Sequence, residues 1–131
     1  MTRTFTASQA IRNESPLFIS IFSPSGGGKT MSALELATGI QEVYGREIVV
    51  IDTENFRALH YAPPDFKYKF KHIPFAAPSS PLDYMSALEY TMKLDPGVII
   101  IDQLSSEHEG TGGVLEWHEA KYTYAAIGGA F

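Results

Sequence analysis

No cysteine occurs anywhere in the 131 residues, so disulfides and thiolate metal sites are excluded. No apolar run approaches the roughly 20 residues that a membrane-spanning helix needs. The opening stretch, Met1 to Pro16, is polar and lacks the apolar block of a signal peptide. The expected location is therefore cytoplasmic, with no membrane partner. Positive charge is also scarce: 10 Lys and Arg stand against 15 Asp and Glu, a formal net charge of -5. Any contact with nucleic acid has to be local rather than spread over the surface. The 4 histidines show no metal-ligand spacing, which speaks against zinc. What is present reads as a globular domain: 44% of the residues are hydrophobic and 19% charged, in a chain long enough to bury one core.

Three short apolar runs, Leu17–Phe22, Ile48–Ile51 and Val98–Ile101, have the length and β-branched content of buried strands. A short strand is also expected at Thr2–Thr6. Between Lys29 and Tyr44 the apolar residues Ala33, Ala37, Ile40 and Tyr44 recur at helical spacing. Leu34 and Leu36 widen that face, and Gly45 stands at the C-cap position. Phe66, Tyr68 and Phe70 alternate with Lys67, Lys69 and Lys71, which predicts a strand with one wet face. Such lysines belong to a solvated sheet edge more than to a strand-binding surface. Ser80 reads as an N-cap, with Pro81 and Asp83 in the first turn. Leu82, Met85, Leu88 and Met92 are the expected buried stripe of that helix. Leu104–Gly113 reads as a polar loop, and Val114 to about Ala126 as a last helix anchored by Trp117. Trp117, Tyr122 and Tyr124 are read as packing residues. This order of elements predicts an α/β fold, a mostly parallel sheet flanked by helices. Ligands in such sheets sit beyond the carboxyl ends of the strands.

The first apolar run leads into Ser23-Pro24-Ser25-Gly26-Gly27-Gly28-Lys29-Thr30. This matches the Walker A pattern of P-loop NTPases except at its first position, where Ser23 stands for glycine. Glycines let consecutive N–H groups turn inward around phosphate oxygens. The helix starting at Lys29 adds the positive end of its dipole. Ser25, Gly26, Gly27, Gly28, Lys29 and Thr30 are thus the expected nucleotide-binding residues. Lys29 would reach the β- and γ-phosphates, and the Thr30 hydroxyl would ligate Mg²⁺. The expected ligand is Mg-ATP. Ser23 serves the turn only if its φ stays negative.

Two other apolar runs end in acids. Asp102 follows Val-Ile-Ile-Ile, as in a Walker B strand, and is the expected partner of Thr30 in holding the metal through water. Asp52-Thr53-Glu54 closes the Ile48–Ile51 run. Glu54 is the candidate catalytic base, able to orient and deprotonate an attacking water. Asp52, nearer the strand, is the one expected to be satisfied by backbone N–H groups.

Val49-Val50-Ile51-Asp52-Thr53-Glu54, followed by Ala58-Leu59 and Tyr61-Ala62, resembles the RecA recombinase family. Val98–Asp102 with Leu104-Ser105-Ser106 is similar to that family's magnesium strand. Ile101-Asp102, Ser106–Gly110, Gly112–Leu115 and Trp117-His118 resemble phage-encoded RecA-like ATP-binding proteins. The resemblance covers roughly Pro16 to Ala120. It implies a RecA-like core in which Glu54 activates water, and a role in DNA recombination or single-strand annealing. It further implies single-stranded DNA as a partner, and a homo-oligomer or a completing partner. Gln103 departs from the small hydroxyl residue expected after Asp102. No apolar strand follows residue 113, where the family carries a further strand with a γ-phosphate sensor. Residues 1–131 are accordingly read as a single RecA-like nucleotide-binding domain. Whether it is truncated after the Walker B strand stays open. Two other functions remain in play: a nucleotide-binding module without turnover, and a P-loop small-molecule kinase. The kinase ranks last, because no arginine-bearing lid follows Asp102.

Overall fold

A computed structural model describes residues 2–11 and 15–126, and the side chains of these up to Tyr122. The elements are α1 (Lys29–Tyr44), β1 (Ile48–Asp52), a short 3₁₀ helix (Arg57–Tyr61), β2 (Lys71–Pro74), α2 (Pro81–Lys93), β3 (Val98–Asp102), α3 (Ser105–Glu109) and α4 (Val114–Ala126). The three strands form one parallel sheet in the order β2-β1-β3. The chain is therefore α/β, as its alternating elements require. No helix among the described residues is long and apolar enough to cross a membrane.

β1 is central and buried over all 5 residues. Strand side chains alternate between faces, so Ile48 and Val50 share one face with Asp52. On that face they pack with Leu34 and Ala37 of α1, with Ala58, Tyr68 and Ile100, and this cluster is the core. Strand register aligns Val50 with both His72 and Ile100, and Asp52 with Asp102. The α1 side of the sheet thus carries Asp52, Asp102 and His72 together at its carboxyl end.

Helix boundaries follow local chemistry. Gly45 closes α1 in the left-handed region at φ 67, its N–H donating to the Gln41 carbonyl. Ser80 and Asp83 form a reciprocal capping box at the start of α2, with Pro81 in the first turn. α4 spans the expected residues.

Six expectations are corrected. Leu17–Phe22 is not a strand: it has no partner in the sheet, and most of its side chains are exposed. An apolar run becomes a strand only where a sheet edge takes its backbone hydrogen bonds, and none of the three strands does so. Thr2–Thr6 likewise forms no strand. The strand expected over Phe66–Lys71 begins only at Lys71. Tyr68 instead turns into the core, where its hydroxyl donates to Glu35 Oε2 of α1 at 2.8 Å. α2 is rotated from the expected stripe: Leu82, Met85 and Met92 are exposed, while Tyr84 and Thr91 are buried. Tyr84 fixes that rotation, its ring 4.7 Å from Phe75 and its hydroxyl donating to the Gln103 carbonyl. Finally, Leu104–Gly113 contains α3, closed by Gly110 N–H donating to the Ser106 carbonyl. Trp117 is 41% exposed and does not anchor α4, and Tyr122 is exposed as well. The Tyr124 side chain lies outside the described residues.

The three lysines are exposed, as expected, but only Lys71 belongs to a strand. Lys67 pairs with Glu35 at 2.7 Å, and Lys71 pairs with Glu47. The hydrogen bonds from Lys67 and Tyr68 hold the Glu35 carboxyl below its ordinary range. The same carboxylate raises both Lys67 and Tyr68.

Candidate functional site

The glycine segment is a tight loop ahead of α1. Gly27 N–H donates to the Pro24 carbonyl at 3.1 Å. Gly26 and Gly28 lie at φ +78 and +85, where a side chain is strained. Gly27 is required for a different reason: a Cβ there would meet the Ser23 Oγ at 2.4 Å. Ser23 itself is not among the residues of positive φ. It therefore makes the turn in the one way open to a serine, and its side chain fills the space that forces glycine at position 27.

Gly28 is the N-cap of α1 and offers no side chain to the first-turn N–H groups, and no acidic residue lies in that turn. The helix end keeps its positive potential. Lys29 folds back over the loop, its ammonium donating to the carbonyls of Ser23 at 3.0 Å and Pro24 at 3.4 Å. The cation and the free N–H groups are gathered at one place.

The decisive contact spans 72 residues. Thr30 Oγ1 donates to Asp102 Oδ2 at 2.5 Å. Asp102 is only 7% exposed, and a charge-assisted hydrogen bond of this kind is among the stronger ones available. It joins the first turn of α1 to the end of β3. No protein-family model matches the chain, and no characterised protein or solved structure matches it significantly.

Thr30 and Asp102 supply hard oxygen donors side by side, the chemistry that Mg²⁺ selects. Among the described residues no group of three or more His, Cys, Asp or Glu converges on a metal position. The residues present fit the ion.

The loop after β1 holds the other candidates. Asp52 is 1% exposed. Its Oδ1 accepts the Glu54 N–H at 2.8 Å, and its Oδ2 accepts the Ala58 N–H at 3.0 Å and lies 2.9 Å from His72 Nε2. The expectation that backbone N–H groups satisfy Asp52 agrees with this arrangement. His72 had no such role in the sequence, because it lies 20 residues away and meets Asp52 only through strand register. Asn55 and Phe56 both adopt positive φ, 55 and 64. Such a backbone costs an L-residue roughly 1–2 kcal/mol, least for Asn, so the loop depends on its hydrogen bonds to keep this shape.

Thr53 ties this loop to the one after β3. Its N–H donates to the Asp102 carbonyl at 2.8 Å, and its hydroxyl exchanges hydrogen bonds with the Gln103 carbonyl and N–H at 2.9 and 2.8 Å. Gln103 thus contributes its backbone rather than a small hydroxyl. Burial pushes the Tyr84 phenol up, and the neutral hydroxyl donates to the same Gln103 carbonyl. Glu54 follows directly. Its side chain is 23% exposed and pairs with Arg57, Nη1 to Oε2 3.3 Å. Among the described residues its carboxylate makes no hydrogen bond to Lys29, Thr30 or Asp102. Glu54 therefore shares their sheet edge without a hydrogen bond to them.

Proposed function

We propose that the chain binds Mg-ATP on Ser23–Thr30 and is a RecA-like P-loop ATPase core, acting in phage-type DNA recombination or single-strand annealing. The Thr30–Asp102 contact carries this reading. A chance glycine turn has no reason to place the first-turn hydroxyl of a helix on a buried carboxylate at the end of a parallel strand.

In this mechanism the N–H groups of Gly26 and of Gly28 to Thr30 hold the phosphate chain while the Gly27 N–H stays on the Pro24 carbonyl, and Lys29 exchanges its loop carbonyls for phosphate oxygens. Thr30 and Asp102 would hold the metal, which supplies positive charge against the phosphates when bound. Glu54 leaves Arg57, accepts a proton from water on a carboxylate oxygen, and aims the resulting oxygen at the γ-phosphorus. The new P–O bond forms as the bond to the ADP oxygen breaks, and ADP carries away that electron pair. The RecA-type assignment, and with it single-stranded DNA and further subunits as partners, rests on the sequence resemblance.

One observation favours a second reading, binding without turnover: Glu54 is engaged by Arg57. Two measurements separate the readings. Titration with Mg-ATP is expected to saturate one site, and phosphate release is expected to rise when single-stranded DNA is added. Failure to bind Mg-ATP overturns the proposal. Binding with no phosphate release under either condition selects the second reading.

A further inference from the structure

We propose that Asp52 and His72 act as a positioning pair that holds Glu54 for its reaction, an inference that rests on the ATPase reading above. Glu54 has two attachments. Its side chain meets Arg57 on the same loop, and its backbone N–H is held by Asp52 Oδ1. Only the second reaches the sheet. Asp52 also holds the far end of the loop through Ala58 N–H. One carboxylate therefore sets both ends of the segment that carries Glu54.

What orients that carboxylate is His72. The ring nitrogen Nε2 lies 2.9 Å from Oδ2, and the side chains are 13% and 1% exposed. His72 stands on the neighbouring strand, aligned with Val50, two residues before Asp52 on the same face. The imidazole can donate through Nε2 while neutral, so the pair needs no second charge. Its ring centroid also lies 5.7 Å from that of Phe56, the more strained of the two left-handed residues. The histidine thus braces the loop twice, through the carboxylate and through the aromatic ring. Neither residue touches Thr30 or Lys29 among the described contacts, so the pair acts on Glu54 and leaves the phosphate loop alone. Outer-shell partners of this kind fix the orientation of the groups that react.

The test uses the full chain with His72→Leu, which removes the donor, and His72→Gln, whose amide nitrogen can replace Nε2. Amide hydrogen exchange is measured without nucleotide. His72→Leu is expected to speed exchange over residues 53–61 by about tenfold or more, leaving α2 unchanged, and His72→Gln to restore most of the protection. With nucleotide, His72→Leu is expected to lower kcat by roughly 10–100-fold while the Mg-ATP Kd stays within about twofold, and His72→Gln to recover most of kcat. Unchanged exchange over residues 53–61 in His72→Leu overturns the pair, whatever the chain does with ATP. Equal losses in kcat and affinity, or no recovery with His72→Gln, overturn its positioning role. A parent chain that binds but never hydrolyses Mg-ATP overturns the catalytic role of Glu54, and the exchange arm alone then decides whether the pair holds the loop.

Discussion

The contact between Thr30 and Asp102 can be measured without any ligand. Thr30→Val keeps the shape of the side chain and removes the hydroxyl, leaving a carboxylate that is 7% exposed without its donor at Oδ2. A hydrogen bond to a charged group contributes about 1.5–3 kcal/mol. With a urea m-value of roughly 1–3 kcal/mol per molar for a small domain, the unfolding midpoint should fall by about 1 M, with m unchanged. Valine and threonine have similar helix propensities, so Thr38→Val on the same helix is the control. Thr38 bonds only to the Leu34 carbonyl within α1, at 2.8 Å, and such a bond adds little to a helix that already satisfies that carbonyl. Its loss should stay within about 0.5 kcal/mol, the range of an unremarkable surface change. A double-mutant cycle with Asp102→Asn should return a coupling of about 1–2 kcal/mol, as expected of groups in direct contact. A loss for Thr30→Val no larger than for Thr38→Val, or a coupling below about 0.5 kcal/mol, would show that the Thr30–Asp102 bond does not fasten α1 to β3.

Lys29→Ala should abolish Mg-ATP binding in a titration while the thermal midpoint stays near the parental value, because the ammonium contacts only two carbonyls of its own loop. Glu54→Gln should leave the Mg-ATP Kd almost unchanged and lower turnover by roughly 10²–10⁴-fold, the usual worth of a placed general base. Neutralising Lys67, Lys69 and Lys71 together should leave the salt dependence of any single-strand binding unchanged, since two of the three are paired with carboxylates. A slope shallower by about one per lysine would show phosphate contacts instead. Glu35 gives a pH signature. Its carboxyl is lowered in the folded chain, so its contribution is present above the ordinary glutamate range and is lost as pH falls through the folded value. Glu35→Gln should flatten that part of the acid limb in a series of denaturation curves and leave the neutral region little changed.

The start of α1 at Lys29, the end of β3 at Asp102 and the meeting of Thr30 with Asp102 were legible, because each residue type is tied to a helix start or a strand end. The same holds for α1 and α2, whose caps are written locally in Gly45 and Ser80. Other features were not, since they depend on which faces meet. The rotation of α2 turns on Tyr84 reaching Gln103, a contact between residues 19 apart. His72 finds Asp52 only because β2 pairs with β1 in one particular register. Leu17–Phe22 has the composition of a strand, yet composition cannot supply the neighbour that a strand requires. Tyr68 belongs to an alternating run, but its hydroxyl is taken by Glu35, and regular pairing starts only three residues later.

The three hydrogen bonds through Thr53 have a mechanical consequence. The loop ending in Glu54 and the strand end bearing Asp102 are fastened at the same residue. Neither can shift alone without breaking that fastening, so the sheet's carboxyl edge moves as one lever. A pull on the Asp102 backbone is delivered to Thr53, one peptide from Glu54, before it reaches anything else in that loop.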